Sequence, residues 1–196
     1  MSTSGDSDDL PLVEGAIAGA AAWFVGYLLT GLLVLVRLED TELGELSSNV
    51  DGGGNGFEFV GWVFFNSHFV DTVVEADFLG FGGSSTTSFV GGDGFTALLY
   101  LVPVTLLVGA GLAVGRARGV DRTTDGAVAG VFVVPPYLVL STVGALLFRV
   151  STEGLGASFS GRPELLPAIL LAGVVFPAVF GAIGGIVAAN TGPGRE

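Results

Sequence analysis

The sequence predicts an all-α integral membrane protein with four transmembrane helices and an aromatic interfacial or re-entrant helix; five transmembrane helices are the alternative. Three observations predict it. Mean hydropathy is +0.73 while charged residues make up only 13 % of the chain, a balance that suits lipid as solvent and suits neither a soluble domain nor a disordered one. Four stretches, Ala16 to Val36, Phe95 to Gly115, Gly126 to Phe148 and Leu165 to Asn190, hold no charged residue. Each is long enough to cross roughly 30 Å of hydrocarbon at ~1.5 Å per residue. In lipid a single crossing segment must be helical, because its backbone groups have no water to pair with.

The elements follow in order. Residues 1–10 form an acidic tail without the cationic start of a cleavable signal peptide. Residues 11–37 form the first crossing helix, entered through Pro11 at its first turn. Residues 38–94 form an acidic, glycine-rich extracytoplasmic segment with ten carboxylates and no Lys or Arg. Within it, residues 57–74 (FEFVGWVFFNSHFVDTVV) are crowded with Phe and one Trp but interrupted by Glu58, Asn66, His68 and Asp71. The longest run free of carboxylates, Phe59 to Val70, has 12 residues, too few to span. Rings mixed with polar groups suit the membrane–water interface, where Trp62 and the Phe faces meet lipid. After this helix, TVVEADF and TTSFV have β-like content between glycine-rich turns and suggest a short hairpin. Residues 95–190 hold the remaining three crossing helices, and residues 191–196 form the C-terminal tail.

Orientation follows the arginines, since cationic side chains in short loops stay on the cytoplasmic side. Arg116, Arg118 and Arg122 share one short connection and Arg195 lies in the tail, which places the C-terminus in the cytoplasm. Arg37, Arg149 and Arg162 then fall outside, so charge alone does not choose between four and five spans.

With 19 carboxylates, 7 cationic side chains and a net charge of −12, no basic patch exists to displace phosphate counterions, and nucleic acid is excluded as a partner. No cysteine occurs, so thiolate metal sites and a cysteine nucleophile are absent. His68 has Asp71 at i+3 and Glu75 at i+7, which on a helix would share a face. A metal would need further ligands at fixed spacing and hydrolysis would need a motif such as GxSxG; neither is present. No catalytic residue, cofactor or metal is assigned, and the chain reads as a non-enzyme. His68 reads instead as a histidine donating to a carboxylate or headgroup. Pro135, Pro136 and Pro177 lie at membrane depth, where each can kink its helix. Broken helices line transporter sites, yet no Asp, Glu, Arg or His lies deep in any span.

Small residues recur at helical spacing: Gly15, Gly19 and Gly26 in the first span, Gly111 and Gly115, Gly126 and Gly130, then Gly173, Gly181 and Gly185. Such stripes let backbones approach closely, within one bundle or between copies. The partners expected are therefore the lipid bilayer, with a homo-oligomer or other membrane proteins left open. The candidate functional residues are His68, Asp71, Trp62, Asn66, Pro135, Pro136 and Pro177. The leading function class is a structural, assembly or interaction component of the membrane; a small-solute transporter or channel subunit is the alternative.

Every basic side chain is Arg and lysine is absent, which together with the acid excess points to an extremely halophilic archaeon. The opening LPLVEGAIAGAAAWFVGYLLT, the central GWVFFNSHFVDT, the LLYLVPVTLLVGAG span and the closing LLAGVVFPAVFGAIGG resemble small uncharacterised multi-spanning membrane proteins of haloarchaea. That resemblance implies a cell-membrane location and no chemistry.

The carboxylates of residues 38–94 repel one another once salt no longer screens them. The solubilised protein is expected to show a sharp thermal transition in molar salt and to lose it in dilute buffer. A transition temperature indifferent to ionic strength contradicts the halophilic reading.

Overall fold

In the computed structural model, residues 11–37, 56–91, 95–154 and 156–191 are described. The N-terminal tail 1–10, residues 38–55 of the acidic segment and residues 192–196 lie outside them. The helices are α1 (Leu12–Arg37), α2 (Gly56–Asn66), α3 (Leu101–Ala117, entered through a 3₁₀ turn at Ala97–Tyr100), α4 (Thr123–Val131) and α5 (Val134–Leu147). The last span is composite: a short α6 (Leu165–Pro167), a π-helical segment (Ala168–Val175) and α7 (Phe176–Thr191). Four helical stretches are long and apolar enough to cross a membrane: Leu12–Val36, Ala97–Ala117, Thr123–Leu147 and Leu165–Thr191.

The all-α expectation is corrected by a four-stranded antiparallel sheet, β1 (Thr72–Phe78), β2 (Phe81–Thr87), β3 (Val150–Gly154) and β4 (Ala157–Pro163), in the order β2-β1-β4-β3. The hairpin read in TVVEADF is present, but its partner is FGGSSTT, with Thr72 opposite Thr87 and Phe78 opposite Phe81. The second hairpin, β3–β4, sits between the last two spans, so residues 95–190 are not purely helical. The β1–β2 turn has positive φ at both central residues, Leu79 (54°) and Gly80 (85°), as a type I′ turn requires. Glycine adopts that region freely, whereas leucine does so at a cost of roughly 1–2 kcal/mol.

The aromatic stretch does not run as one helix over 57–74. It is helical only over Gly56–Asn66, turns at Ser67–Phe69, and is a strand by Thr72. At about 16 Å it is too short to cross, which removes the fifth span. Most of its rings face the protein interior, with Phe57 and Phe69 left exposed. Phe59, Trp62, Val63, Phe64 and Phe65 are all buried, packed between α1, α5 and β4. Trp62 lies under Gly161 of β4 and donates its indole N–H to the Phe148 carbonyl at 2.8 Å, because a buried indole needs an acceptor.

What closes the bundle is the small-residue stripes. α7 lies between α3 and α4, and a Cβ added at Gly181 would meet the Gly130 carbonyl at 2.5 Å. Cβ atoms at Gly111, Gly126, Gly130, Gly184 and Gly185 would likewise collide with a carbonyl of the facing helix. Backbones this close gain dispersion and Cα–H···O contacts, the attractions left when lipid offers no hydrophobic drive.

The third span is interrupted at Phe132–Val133, between α4 and α5. Pro135 and Pro136 stand in the first turn of α5, where their missing N–H groups leave the Val131 and Phe132 carbonyls without helical partners. Gly15 of α1 presses its backbone against the Phe132 carbonyl, and Gly19 lies against the Pro136 ring. In the last span Pro177 has no N–H for Gly173, and the residue before it, Phe176, bonds back to Leu171 in the wider π pattern. At the end of the bundle opposite the sheet, Arg118 is paired with Glu14 at 3.5 Å.

Candidate functional site

Helix α5 and the interrupted last span meet beside one buried polar group. His68, in the turn after α2, has no solvent exposure. Its Nδ1 lies 2.8 Å from the Phe64 carbonyl and its Nε2 lies 2.8 Å from the Tyr137 hydroxyl. A carbonyl only accepts, so Nδ1 carries the proton and Tyr137 donates to Nε2. Ser67 donates to the same Phe64 carbonyl at 2.6 Å. The imidazole ring sits 5.2 Å from the ring of Phe176, at the junction of the π segment and α7. Tyr137 is about 15 Å in from the Leu147 end of its span, at ~1.5 Å per residue. One neutral imidazole thus joins α2, α5 and the last span.

The other residues singled out by the sequence separate into two groups. Asn66 is buried close by: its amide donates to the Val70 carbonyl at 2.7 Å and its Oδ1 accepts from the Phe89 N–H at 2.8 Å. It thereby holds the helix-to-strand turn, in which Phe69 takes a φ of 59°. Pro136 and Pro177 border the two interruptions, and Trp62 fixes α2 to the end of the third span. Asp71 is not brought in. Because α2 stops at Asn66, the helical face shared by His68, Asp71 and Glu75 does not form. Asp71 is exposed, with its carbonyl bonded to the Glu164 N–H at 2.9 Å. Glu75 turns to Arg162, 3.3 Å away on β4. Tyr137 was legible only as a polar residue within a span; its pairing with a histidine 69 positions earlier has no local signal.

Burial holds the His68 imidazole down to a pKa of about 4, from an ordinary value near 6.5, because the charged form loses water; the bond to the Phe64 carbonyl opposes this only in part. The ring is therefore neutral at neutral pH and closed to solvent, which suits a fastening between elements rather than proton transfer to an outside substrate. Among the described residues, no three His, Asp or Glu side chains converge on a metal-sized site.

A second feature is a cleft of about 420 Å³ on the sheet face away from Trp62, lined by Glu75, Asp77, Ser84, Ser151, Glu153 and Ser160. Glu75 is positioned there by Arg162 and by the Ser160 hydroxyl at 3.2 Å. The surface is polar, acidic and open.

Comparison with known proteins decides one point, because a family of unknown function, DUF7978, matches residues 1–192. The chain belongs to the DUF7978 family. No curated protein and no solved structure matches it. The family match covers α1 through α7, so the spans, the sheet and the His68–Tyr137 pair all lie within one family unit.

Because the folded pKa of His68 is depressed, its neutral form contributes stability that is complete above about 6.5 and is lost as pH falls toward about 4. Thermal stability of the wild type is expected to decline more steeply across that window than that of His68→Gln. Parallel curves would show that His68 does not titrate with unfolding. Tyr137→Phe leaves Nε2 buried without a donor and is expected to cost about 1–3 kcal/mol.

Proposed function

We propose that the protein is a non-enzymatic, multi-pass component of the cell membrane of a halophilic archaeon, with a structural, assembly or interaction role. Its working surface is the water-facing polar face of the sheet. One observation carries this reading: the bundle is closed on itself. Glycine backbones touch across its helices, and the buried polar side chains of the spans are spent within the protein. Thr30 bonds the Gly26 carbonyl, Ser141 accepts from the Trp23 indole at 3.2 Å, and Tyr137 serves His68. A coupled carrier needs a titratable or charged group open to its path; the three side chains just named are engaged, and among the described residues the Glu58 carboxylate of α2 keeps one buried oxygen, Oε2, without a hydrogen-bond partner. Orientation in this reading follows the arginines: the sheet is outside, and the Arg116–Arg118–Arg122 end and the C-terminus are cytoplasmic.

A second reading, a small-solute transporter or channel subunit, is favoured by a different observation. Two discontinuous spans and a short helix entering from one end are the ingredients from which midplane sites are built.

Reconstituted vesicles distinguish the two. The scaffold reading expects ion and small-solute flux no greater than in empty vesicles, unchanged by Pro177→Ala. Flux above background that collapses in Pro177→Ala overturns it. For orientation, Ser88→Cys is expected to react with an impermeant thiol reagent on intact cells, and Thr124→Cys only after lysis. The reverse pattern inverts the topology.

A further inference from the structure

Among the described residues, the exposed large apolar side chains lie on the four spanning helices, with five exceptions: Phe57, Phe69, Phe78, Leu79 and Phe81. Phe57 packs on Tyr27 and Phe148, and Phe69 stacks on Tyr100 at 4.6 Å. The other three cluster on the β1–β2 turn at 59 %, 66 % and 86 % exposure. A water-facing hairpin turn normally carries Asn, Asp or Gly there.

The register shows which way this cluster faces. Gly161 of β4 is seated on the Trp62 ring of α2 and lies directly opposite Val74 of β1. Side chains alternate along a strand, so Val74, Ala76 and Phe78 share that face, and Phe81 joins it opposite Phe78. The other face carries Glu75, Asp77, Ser84, Ser158 and Ser160. The carboxylates thus lie on one side only, and the side that rests on the helical bundle is the more apolar along β1, with Ser85 and Gly83 of β2 opposite Val74 and Ala76 and the Phe78–Phe81 pair at the turn. Near Thr72 that side is covered by α2; toward the turn the cover ends while the apolar ladder continues. Leu79 supplies an independent sign. It occupies a left-handed position that Asn or Gly would fill without strain, so an apolar side chain stands at the turn against its backbone preference.

We propose that the β1–β2 turn inserts Phe78, Leu79 and Phe81 into the interfacial layer of the same bilayer that holds the four helices. The sheet then lies along the membrane and turns its hydroxyl and carboxylate face to water. The lipid surface is the fitting occupant because the apolar ladder continues a face already packed on the bundle, whose flanks are in lipid, and because aromatic and leucine side chains beside a wet polar face suit that layer. The inference rests on the multi-pass reading and not on what the polar face binds.

The chain contains no cysteine, so single sites can be labelled without background. Phe81→Cys and Ser84→Cys, each carrying an environment-sensitive fluorophore, are placed in phosphatidylcholine vesicles. Brominated acyl chains are expected to quench the probe at 81 at least threefold more than the probe at 84, with aqueous iodide showing the opposite order. Equal iodide access at both sites overturns the proposal. So does protection of site 81 from both quenchers, which would mean that a second copy, another protein or residues 38–55 cover it. Leu79→Asn separates a lipid contact from a purely structural role: its thermal transition in detergent is expected to match or exceed the wild type, while lipid quenching at site 81 falls by half or more. Unchanged quenching in Leu79→Asn removes leucine from the anchor.

Discussion

Everything in this molecule depends on how closely the last span can approach its neighbours. Helices surrounded by lipid gain nothing from hiding apolar side chains from one another, so association has to come from contact and from backbone dipoles. The chain meets this constraint with glycine on both sides of each crossing: Gly181 and Gly185 of α7 face Gly130 and Gly126 of α4, and Gly184 lies on the Val108 carbonyl of α3. Many leucine, valine and isoleucine side chains take the outer surface, where Leu28, Leu32, Val139, Leu146, Val179 and Ile183 stand exposed, while Val34, Leu107 and Val133 stay buried. The usual sorting of large apolar residues to the inside is thus partly reversed along the spans.

That close packing frames the irregular half of the molecule. From Val134 to Val175 the chain runs through α5, the β3–β4 hairpin and the π segment, with an interrupted helix at each end. Gly15 of α1 lies against the Phe132 carbonyl that Pro136 leaves free, so the break in the third span is covered by a neighbouring helix. Three long-range bonds then fasten the sheet-end half: Trp23 to Ser141, Trp62 to Phe148, and Tyr137 to His68. Each joins an aromatic or imidazole side chain to a partner far away in sequence. Each also satisfies a polar group that would be costly to bury alone.

The sequence made the four spans legible because lipid demands a length of uncharged helix, and the runs from Ala16, Phe95, Gly126 and Leu165 meet that demand openly. Strand β1 was legible from Thr72–Phe78, a β-branched and aromatic run. Strands β3 and β4 were not, because VSTEG and ASFSGRP are short and rich in small polar residues between two strongly apolar helices. The end of α2 was also hidden. The run stays free of carboxylates through Val70, and the turn rests on Phe69 in a left-handed conformation that aromatic residues seldom adopt. At the site, single residues could be read but their pairing could not. His68 was visible as the one histidine and Pro136 as a breaker, yet the link from His68 to Tyr137 is made by the fold alone.

Backbone contact at glycine closes the bundle, and one pair of substitutions tests this directly. A Cβ at Gly185 would fall on the Gly126 carbonyl, whereas a Cβ at Gly109 of α3 meets nothing within 4 Å. Alanine favours a helix over glycine by roughly 1 kcal/mol at either position. Thermal unfolding of the two variants in the same detergent should therefore move in opposite directions. Gly109→Ala is expected to match or exceed the wild type and Gly185→Ala to fall well below it. Equal transitions for the two variants, or a rise in Gly185→Ala, would contradict the claim.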